Sequence, residues 1–190
     1  GVPNCGKTAL FNRLTGSRQK VANYPGVTVE RKEGRFVGPA SGRTYRIVDL
    51  PGAYSLDAVT VDEVIARDVV LAKHASDPPP DLLVCLVDAT NLRLNLRLVL
   101  ELKRLGRPAV VALNMSDVAR SRGYKLDRAA LERAIGLPVI QTVAVQPGGE
   151  RALVEAIDRM PIAASSGAID LPDTSAEDIQ ATQREVRRIL

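Results

Sequence analysis

The sequence predicts an α/β fold, a mostly parallel sheet flanked by helices, and three observations carry that prediction. Gly1–Thr8 reads GVPNCGKT, a full match to the phosphate-binding pattern G-x-x-x-x-G-K-[ST]. Leu82–Asp88 (LLVCLVD) is a continuous apolar run, as in a strand buried on both faces. Downstream, short apolar runs alternate with stretches of helical period, which is the pattern of a parallel sheet covered by helices.

The elements follow in order. A helix of roughly Lys7–Thr15 leaves the phosphate loop. Ser17–Val29 is polar, contains Gly and Pro and has no period, so it reads as a long mobile loop. Lys32–Val37 and Thr44–Asp49 form two strands joined by a turn over Gly38–Gly42, an antiparallel pair at a sheet edge. Asp49–Leu56 (DLPGAYSL) is a second loop, and Val59–Lys73 a helix that ends before the breaker DPPPD at 77–81. After the buried run come an amphipathic helix over Asn91–Leu105, strand Ala109–Leu113, helix Asp127–Ile135, strand Pro138–Val143 and helix Gly149–Met160. Leucines at helical spacing in Asn91–Leu105 suit core packing. Residues 1–161 are expected to form one nucleotide-binding domain, 162–174 a linker, and 175–190 the first helix of a helical domain, with Ser175 as its cap. A phosphate loop normally follows a buried strand, and Leu190 falls inside a helical run. The expectation is therefore a piece of a longer protein, cut at both ends, with the first strand lying upstream.

At 190 residues, 45% of them hydrophobic, the chain is large enough for one core plus an appendage. Aromatics are only 3%, so aliphatic side chains must fill that core. A net charge of +4 is mild, compatible with a nucleic-acid surface, a face near anionic membrane, or neither. Two cysteines, Cys5 and Cys85, lack metal-ligand spacing and do not suggest a disulfide scaffold, so they read as reduced thiols. There is no signal peptide and no apolar run near 18 residues, so the segment is expected to be soluble.

The phosphate loop works through its backbone. Gly1 and Gly6 allow a tight turn, and the N–H groups of Val2, Pro3's neighbours, Asn4, Cys5, Gly6, Lys7, Thr8 and Ala9 surround one concavity that suits an anion. The following helix adds the positive end of its dipole. Lys7 is expected to reach the β- and γ-phosphates, and the Thr8 hydroxyl to ligate Mg²⁺. In Asp49, Leu50, Pro51 and Gly52 (DLPG), the carboxylate sits at a strand end where it can hold Mg²⁺ through water, and Gly52 offers an N–H to the γ-phosphate. Asn114, Met115, Ser116 and Asp117 (NMSD) fit N-x-x-D at the end of another apolar strand. A carboxylate there accepts two parallel hydrogen bonds from guanine N1–H and N2–H₂, a donor pair adenine lacks. Gly26, Val27, Thr28, Val29 and Glu30 (GVTVE) lie in the loop between; a Thr28 hydroxyl that completes the Mg²⁺ shell only beside a γ-phosphate makes that loop a switch. Val143–Gln146 (VAVQ), with Val143, Ala144 and Val145 toward the base, is expected to form the base-clasping loop. Its usual serine is Ala144 here, so the Val145 N–H is left to meet guanine O6.

GVPNCGKTALFNRLTG, NYPGVTVERKEG, DLPGAYSL, VDATNLRLNLRL and NMSD together resemble the cytosolic G domain of the bacterial ferrous iron transport protein B family, over about residues 1–160. The resemblance implies a Ras-like P-loop GTPase with an appended helical domain that modulates GDP affinity. It implies GTP hydrolysis to GDP and phosphate as a switch for Fe²⁺ uptake, with Mg²⁺ as cofactor. The expected location is the cytoplasmic face of the bacterial inner membrane. Expected partners are GTP or GDP, the family's own membrane domain, small accessory Feo proteins and self-association, and not nucleic acid. In Ras-like enzymes a Gln after the DxxG glycine orients the attacking water; here that position is Ala53, so intrinsic hydrolysis is expected to be slow, on the order of 10⁻⁴ to 10⁻² per second. Asn4 resembles the residue that holds K⁺ in potassium-activated GTPases, where the ion stands in for an arginine finger; its other reading is a brace for the turn. The catalytic set is then Lys7, Asn4, Thr28 and Gly52. The alternative is an RNA- or ribosome-associated assembly GTPase, which would carry a basic RNA-binding domain after residue 161 rather than a mixed-charge helix. A nucleotide-dependent binding module without useful turnover is a third reading. His74 reads as a helix-end residue and Arg93, Arg97, Lys103 and Arg104 as a solvated face. Asp57, Asp62 and Glu63 read as a solvated helix start, unless one of them orients water.

Overall fold

The structure, a computed structural model, describes residues 1–16, 19–74, 78–162, 168 and 176–189. In chain order its elements are α1 (Lys7–Thr15), β1 (Gln19–Asn23), β2 (Glu30–Val37), β3 (Thr44–Asp49), α2 (Val61–Val70), β4 (Leu83–Asp88), α3 (Leu92–Arg104), β5 (Ala109–Asn114), α4 (Ser116–Ser121), α5 (Arg128–Ile135), β6 (Val139–Gln141), α6 (Arg151–Arg159) and α7 (Ala176–Ile189). They make an α/β fold with the predicted layering.

Hydrogen bonds define two sheets. β4, β5 and β6 are parallel, with β5 in the middle and buried along its whole length. Alternate residues of these strands serve opposite cores. Cys85, Val87, Val111 and Leu113 face a cluster with Leu96, Val99 and Leu100 of α3 and Ile135 of α5. Leu86, Val110 and Ala112 face Leu10 and Leu14 of α1 and Leu153 and Ile157 of α6. Each such leucine removed from water contributes roughly 1.5–3 kcal/mol. Those clusters hold the strand ends, and with them the loops, in fixed relation.

The second sheet, β1–β2–β3, is antiparallel. A cavity of about 550 Å³ lies between the sheets, lined by β3, by β4 and by apolar side chains including Leu14, Leu98 and Leu102. Next to residues that line it, Ile157 and Tyr45, Asp158 of α6 ties down the β2–β3 turn. This buried carboxylate accepts from Ala40 N and Ser41 N at 2.8 and 2.9 Å, from Tyr45 Oη at 2.9 Å, and from the Ser41 hydroxyl. A Cβ on Gly38 would stand 1.9 Å from its Oδ1, so any side chain there would push the carboxylate off these partners. These bonds hold the Asp158 carboxyl at a pKa of about 2, with the Ser41 hydroxyl the largest cause. Glu33 of β2 is likewise held at about 2, chiefly by Arg46 across the hairpin and then by Arg31.

Several expectations need correction. The presumed mobile loop from Ser17 contains β1, paired from Gln19↔Gly34 to Asn23↔Glu30. Its side chains are mostly exposed, so backbone pairing alone makes it a strand and no apolar alternation announces it. α4 was not foreseen; at six residues it is too short to show a period, and it starts behind Met115 at φ 59°. α2 begins at Val61 rather than Val59 because Thr60 and Glu63 form a reciprocal capping box. β6 is three residues long, half of what the run suggested. α7 packs on α3 and α5, with Val186 buried in the α3 cluster. The Ser175 cap and nearly all of the expected linker fall outside the described residues.

Candidate functional site

The phosphate loop is built from two residues in the left-handed region: Asn4 at φ 62° and Gly6 at φ 88°. Asn tolerates that region better than other side chains, and Gly6 occupies it without strain. Gly6 also caps α1, and its carbonyl accepts the Leu10 N–H at 3.0 Å. Alternation of right- and left-handed residues turns successive N–H groups toward one concavity, at the N-terminus of a nine-residue helix. Val2 and Cys5 are buried below the loop, while Pro3, Asn4 and Thr8 are exposed above it and Lys7 is half-buried. Burial pushes the Cys5 thiol up from its ordinary value, so it stays protonated and serves as packing.

Asn114 joins this loop to the next two. It is 3% exposed at the end of β5. Its Nδ2 donates to Cys5 O at 2.9 Å, and its Oδ1 accepts from Ala144 N at 2.9 Å and Thr142 Oγ1 at 3.3 Å. The approach is close enough that a Cβ on Gly6 would lie 2.4 Å from Asn114 Nδ2. The chain then reverses through Met115, and Ser116 Oγ donates to Leu113 O at 3.0 Å. Asp117 emerges half-exposed in the first turn of α4, where Gln146 Nε2 meets its Oδ2 at 3.4 Å. Val143–Gly149 closes as two turns, Gln146 N to Val143 O and Gly149 N to Gln146 O. Gly149 is required, since a Cβ there would fall 2.0 Å from Val143 O. Val145 is 72% exposed, and its carbonyl accepts from Arg13 of α1 at 3.1 Å.

DLPG lies on the other side of the phosphate loop. Asp49 Oδ1 pairs with Lys7 Nζ at 2.7 Å, and Ala53 N donates to Gly1 O at 3.1 Å. A Cβ on Gly52 would come within 3.1 Å of Pro3. Leu50 and Pro51 are half-buried between these contacts. Gly26–Glu30 is tied elsewhere. Tyr24 N donates to Val29 O and Val27 N to Tyr24 O, while the buried Tyr24 ring packs on Ile65 and Val69 of α2 and meets His74 edge-on at 5.1 Å. Thr28 is exposed on this loop. The structure thus gathers the phosphate loop, DLPG, NMSD and the 143–145 loop, and seats GVTVE on α2.

Thr142, Arg13 and Gly149 make contacts that the sequence reading missed, and Gln146, the last residue of the expected base-clasping loop, reaches Asp117. Only Gly149, second of a Gly pair, left a signal. Of the acidic residues offered for orienting water, Glu63 accepts the Val59 and Thr60 amides, which lower its pKa, and Asp57 pairs with Arg97.

A family model described as "Ferrous iron transport protein B" matches residues 1–157. The chain belongs to the ferrous iron transport protein B family. It is 48% identical over 163 residues to the Fe(2+) transporter FeoB of Escherichia coli strain K12, a match covering 84% of this chain and 20% of that protein. The chain thus spans about a fifth of the length of the curated relatives it matches. Among solved structures it resembles the cytosolic domain of L. pneumophila FeoB, with a TM-score of 0.74 and 44% identity over 83% of this chain and 64% of that one. It also resembles the cytosolic domain of T. maritima FeoB in its GMPPNP form, with a TM-score of 0.82 and 29% identity over 100% of this chain and 94% of that one. The same T. maritima domain is known in a GDP form, TM-score 0.80. Among the described residues of this FeoB-family segment, no helix is long and apolar enough to cross a membrane.

Proposed function

We propose that this segment binds GTP and GDP, hydrolyses GTP, and acts as the switch of a bacterial ferrous iron transporter, working at the cytoplasmic face of the inner membrane. The observation that carries the reading is Asn114, whose one side chain braces a phosphate loop against a base loop (Cys5 O and Ala144 N, both at 2.9 Å). Family membership and the GMPPNP- and GDP-bound T. maritima structures support it.

The residues divide the work. Backbone N–H groups of the Gly1–Ala9 loop, Pro3 excepted, grip phosphates. Lys7, now neutralised by Asp49, exchanges that partner for the β- and γ-oxygens. Asp49 is thereby released toward a cation. Thr8 and Thr28 hydroxyls and the Asp49 carboxylate are hard oxygen donors, a set that fits Mg²⁺, which when bound neutralises phosphate charge. Asp117 pairs with guanine N1–H and N2–H₂, and Val145 offers its backbone N–H to O6 from a loop shaped by Val143 and held by the Ala144 N–H on Asn114 Oδ1. Gly52 N–H meets the γ-phosphate. Water then attacks the γ-phosphorus in line, a P–O bond forms, the bridging P–O bond breaks, and GDP and phosphate leave. Ala53 has no side chain to steer that water, so turnover is slow unless assisted.

Asn4 supplies the assistance in this reading. Its left-handed backbone leaves an exposed amide at the mouth of the loop, an oxygen donor that fits K⁺. The Asn4 amide oxygen would hold such a monovalent cation, which would supply positive charge near the β- and γ-phosphates, the role an arginine finger performs elsewhere for 10³ to 10⁵ in rate. Phosphate release is measured in KCl and NaCl at equal ionic strength, which controls for screening. K⁺ should stimulate strongly, and Asn4→Ala should erase the difference while keeping GTP affinity. Equal rates in both salts for the unmodified chain would overturn the K⁺ assignment; no phosphate release in either would overturn the enzyme.

A further inference from the structure

Arg97 belongs to none of the nucleotide motifs and reads, in the sequence, as part of a solvated face. The structure binds it on two sides. Its Nη2 pairs with Asp57 Oδ2 at 2.5 Å and its Nε with Glu101 Oε1 at 2.8 Å. The second oxygen of Glu101, Oε2, accepts the Leu56 N–H at 2.6 Å, and Asp57 N donates to Ser55 Oγ at 3.2 Å. Leu56 itself is buried in the cluster that α3 organises. Residues 55–57 are therefore held on α3 by a guanidinium, a carboxylate and a buried leucine together. Three residues upstream, Ala53 N is bonded to Gly1 O and Gly52 is pressed on Pro3. The stretch 52–57 is strung between the phosphate loop and α3.

We infer that Arg97 is a positioning residue: with Glu101 it fixes where residues 53–57 lie relative to the phosphate loop, and so sets how fast nucleotide is released and hydrolysed. The inference rests on the reading of this site as a GTP site. The two halves of the clamp differ in firmness. Glu101 is 14% exposed and one helical turn from Arg97, so it orients the guanidinium; a planar fork then reaches Asp57 with its far edge. Asp57 is 42% exposed, and a half-solvated pair is readily given up. A firm inner bond with a releasable outer one suits a segment that shifts as a γ-phosphate arrives and leaves. α3 also carries α7 on its cluster through Val186, so the helix that holds this segment holds the appended helix too.

The test compares Arg97→Ala, Arg97→Lys, Glu101→Gln and the swap Asp57→Arg with Arg97→Asp. It reads release of a fluorescent GDP, kcat and KM for GTP, and hydrogen exchange of the Leu56 amide in nucleotide-free protein. Arg97→Ala should speed Leu56 exchange and change GDP release and kcat on the order of three- to tenfold, the size of a contact-pair coupling. Arg97→Lys keeps the charge but not the fork and should recover only part. The swap should recover GDP release better than either of its single changes. Unaltered Leu56 exchange in Arg97→Ala overturns the inference, as does faster exchange with GDP release and kcat unchanged. If the unmodified chain binds no GTP the parent reading falls, and Leu56 exchange still decides whether the clamp exists.

Discussion

Asn114 Nδ2 donates to the carbonyl of Cys5 across 2.9 Å, joining the end of a central strand to the floor of the phosphate loop. Removing that side chain strands Cys5 O and Ala144 N in a buried place, at about 1–3 kcal/mol for each group left unsatisfied. Asn114→Ala should therefore weaken GTP and GDP alike by on the order of a hundredfold and lower the melting temperature. Titration calorimetry with both nucleotides checks this; a loss confined to one would mean that Asn114 senses the γ-phosphate rather than shaping the loops.

Asp117 should decide the base. Asp117→Asn breaks a charged, bidentate pair to guanine, worth several kcal/mol, and should transfer preference to xanthosine triphosphate. Competition binding with the two triphosphates reads the outcome. Normal GTP affinity in Asp117→Asn would move the base site elsewhere.

Thr28→Ala should leave GDP affinity close to that of the unmodified protein and slow hydrolysis, because an exposed hydroxyl on a loop seated on α2 can matter only when that loop swings to a triphosphate. Comparing GDP with a non-hydrolysable GTP analogue tests it. Equal losses for both would make Thr28 a part of the fold.

Asp158 and Glu33 predict an acid limb. Each carboxyl is held at a pKa of about 2, below unfolded values of roughly 3.9 and 4.3. A depressed folded pKa contributes stability that is present above the unfolded pKa and lost as pH falls toward 2. Stability should thus decline from about pH 5 downward, and Asp158→Asn should flatten that decline while lowering stability at neutral pH. A denaturation series over pH 2–7 reads both, and an unchanged slope in Asp158→Asn would remove this carboxylate from the account.

The motifs were legible because each is a backbone device with a residue signature. Glycine at positions 1, 6 and 52 and asparagine at 4 announce where the chain must turn or approach closely, and LLVCLVD announces a strand by apolarity alone. β1 was not legible because QKVAN pairs through its backbone and buries almost nothing. Arg97 was misread because an arginine on an amphipathic helix looks solvated until the loop from Leu56 folds over it. Thr142 and Arg13 lie 28 and 132 residues from their partners, Asn114 and Val145, and no local pattern announces such bonds.

The Asp158 anchor has a consequence for the order in which the molecule comes together. Its partners at Ser41 and Tyr45 lie 117 and 113 residues earlier in the chain. A nascent chain leaving the ribosome makes the β2–β3 hairpin long before α6 exists, and contacts of such long range are the ones a folding chain reaches late. Until then the hairpin tip has no carboxylate to hold it. The segment that lies between the Gly26–Glu30 and DLPG loops is therefore locked last, by α6.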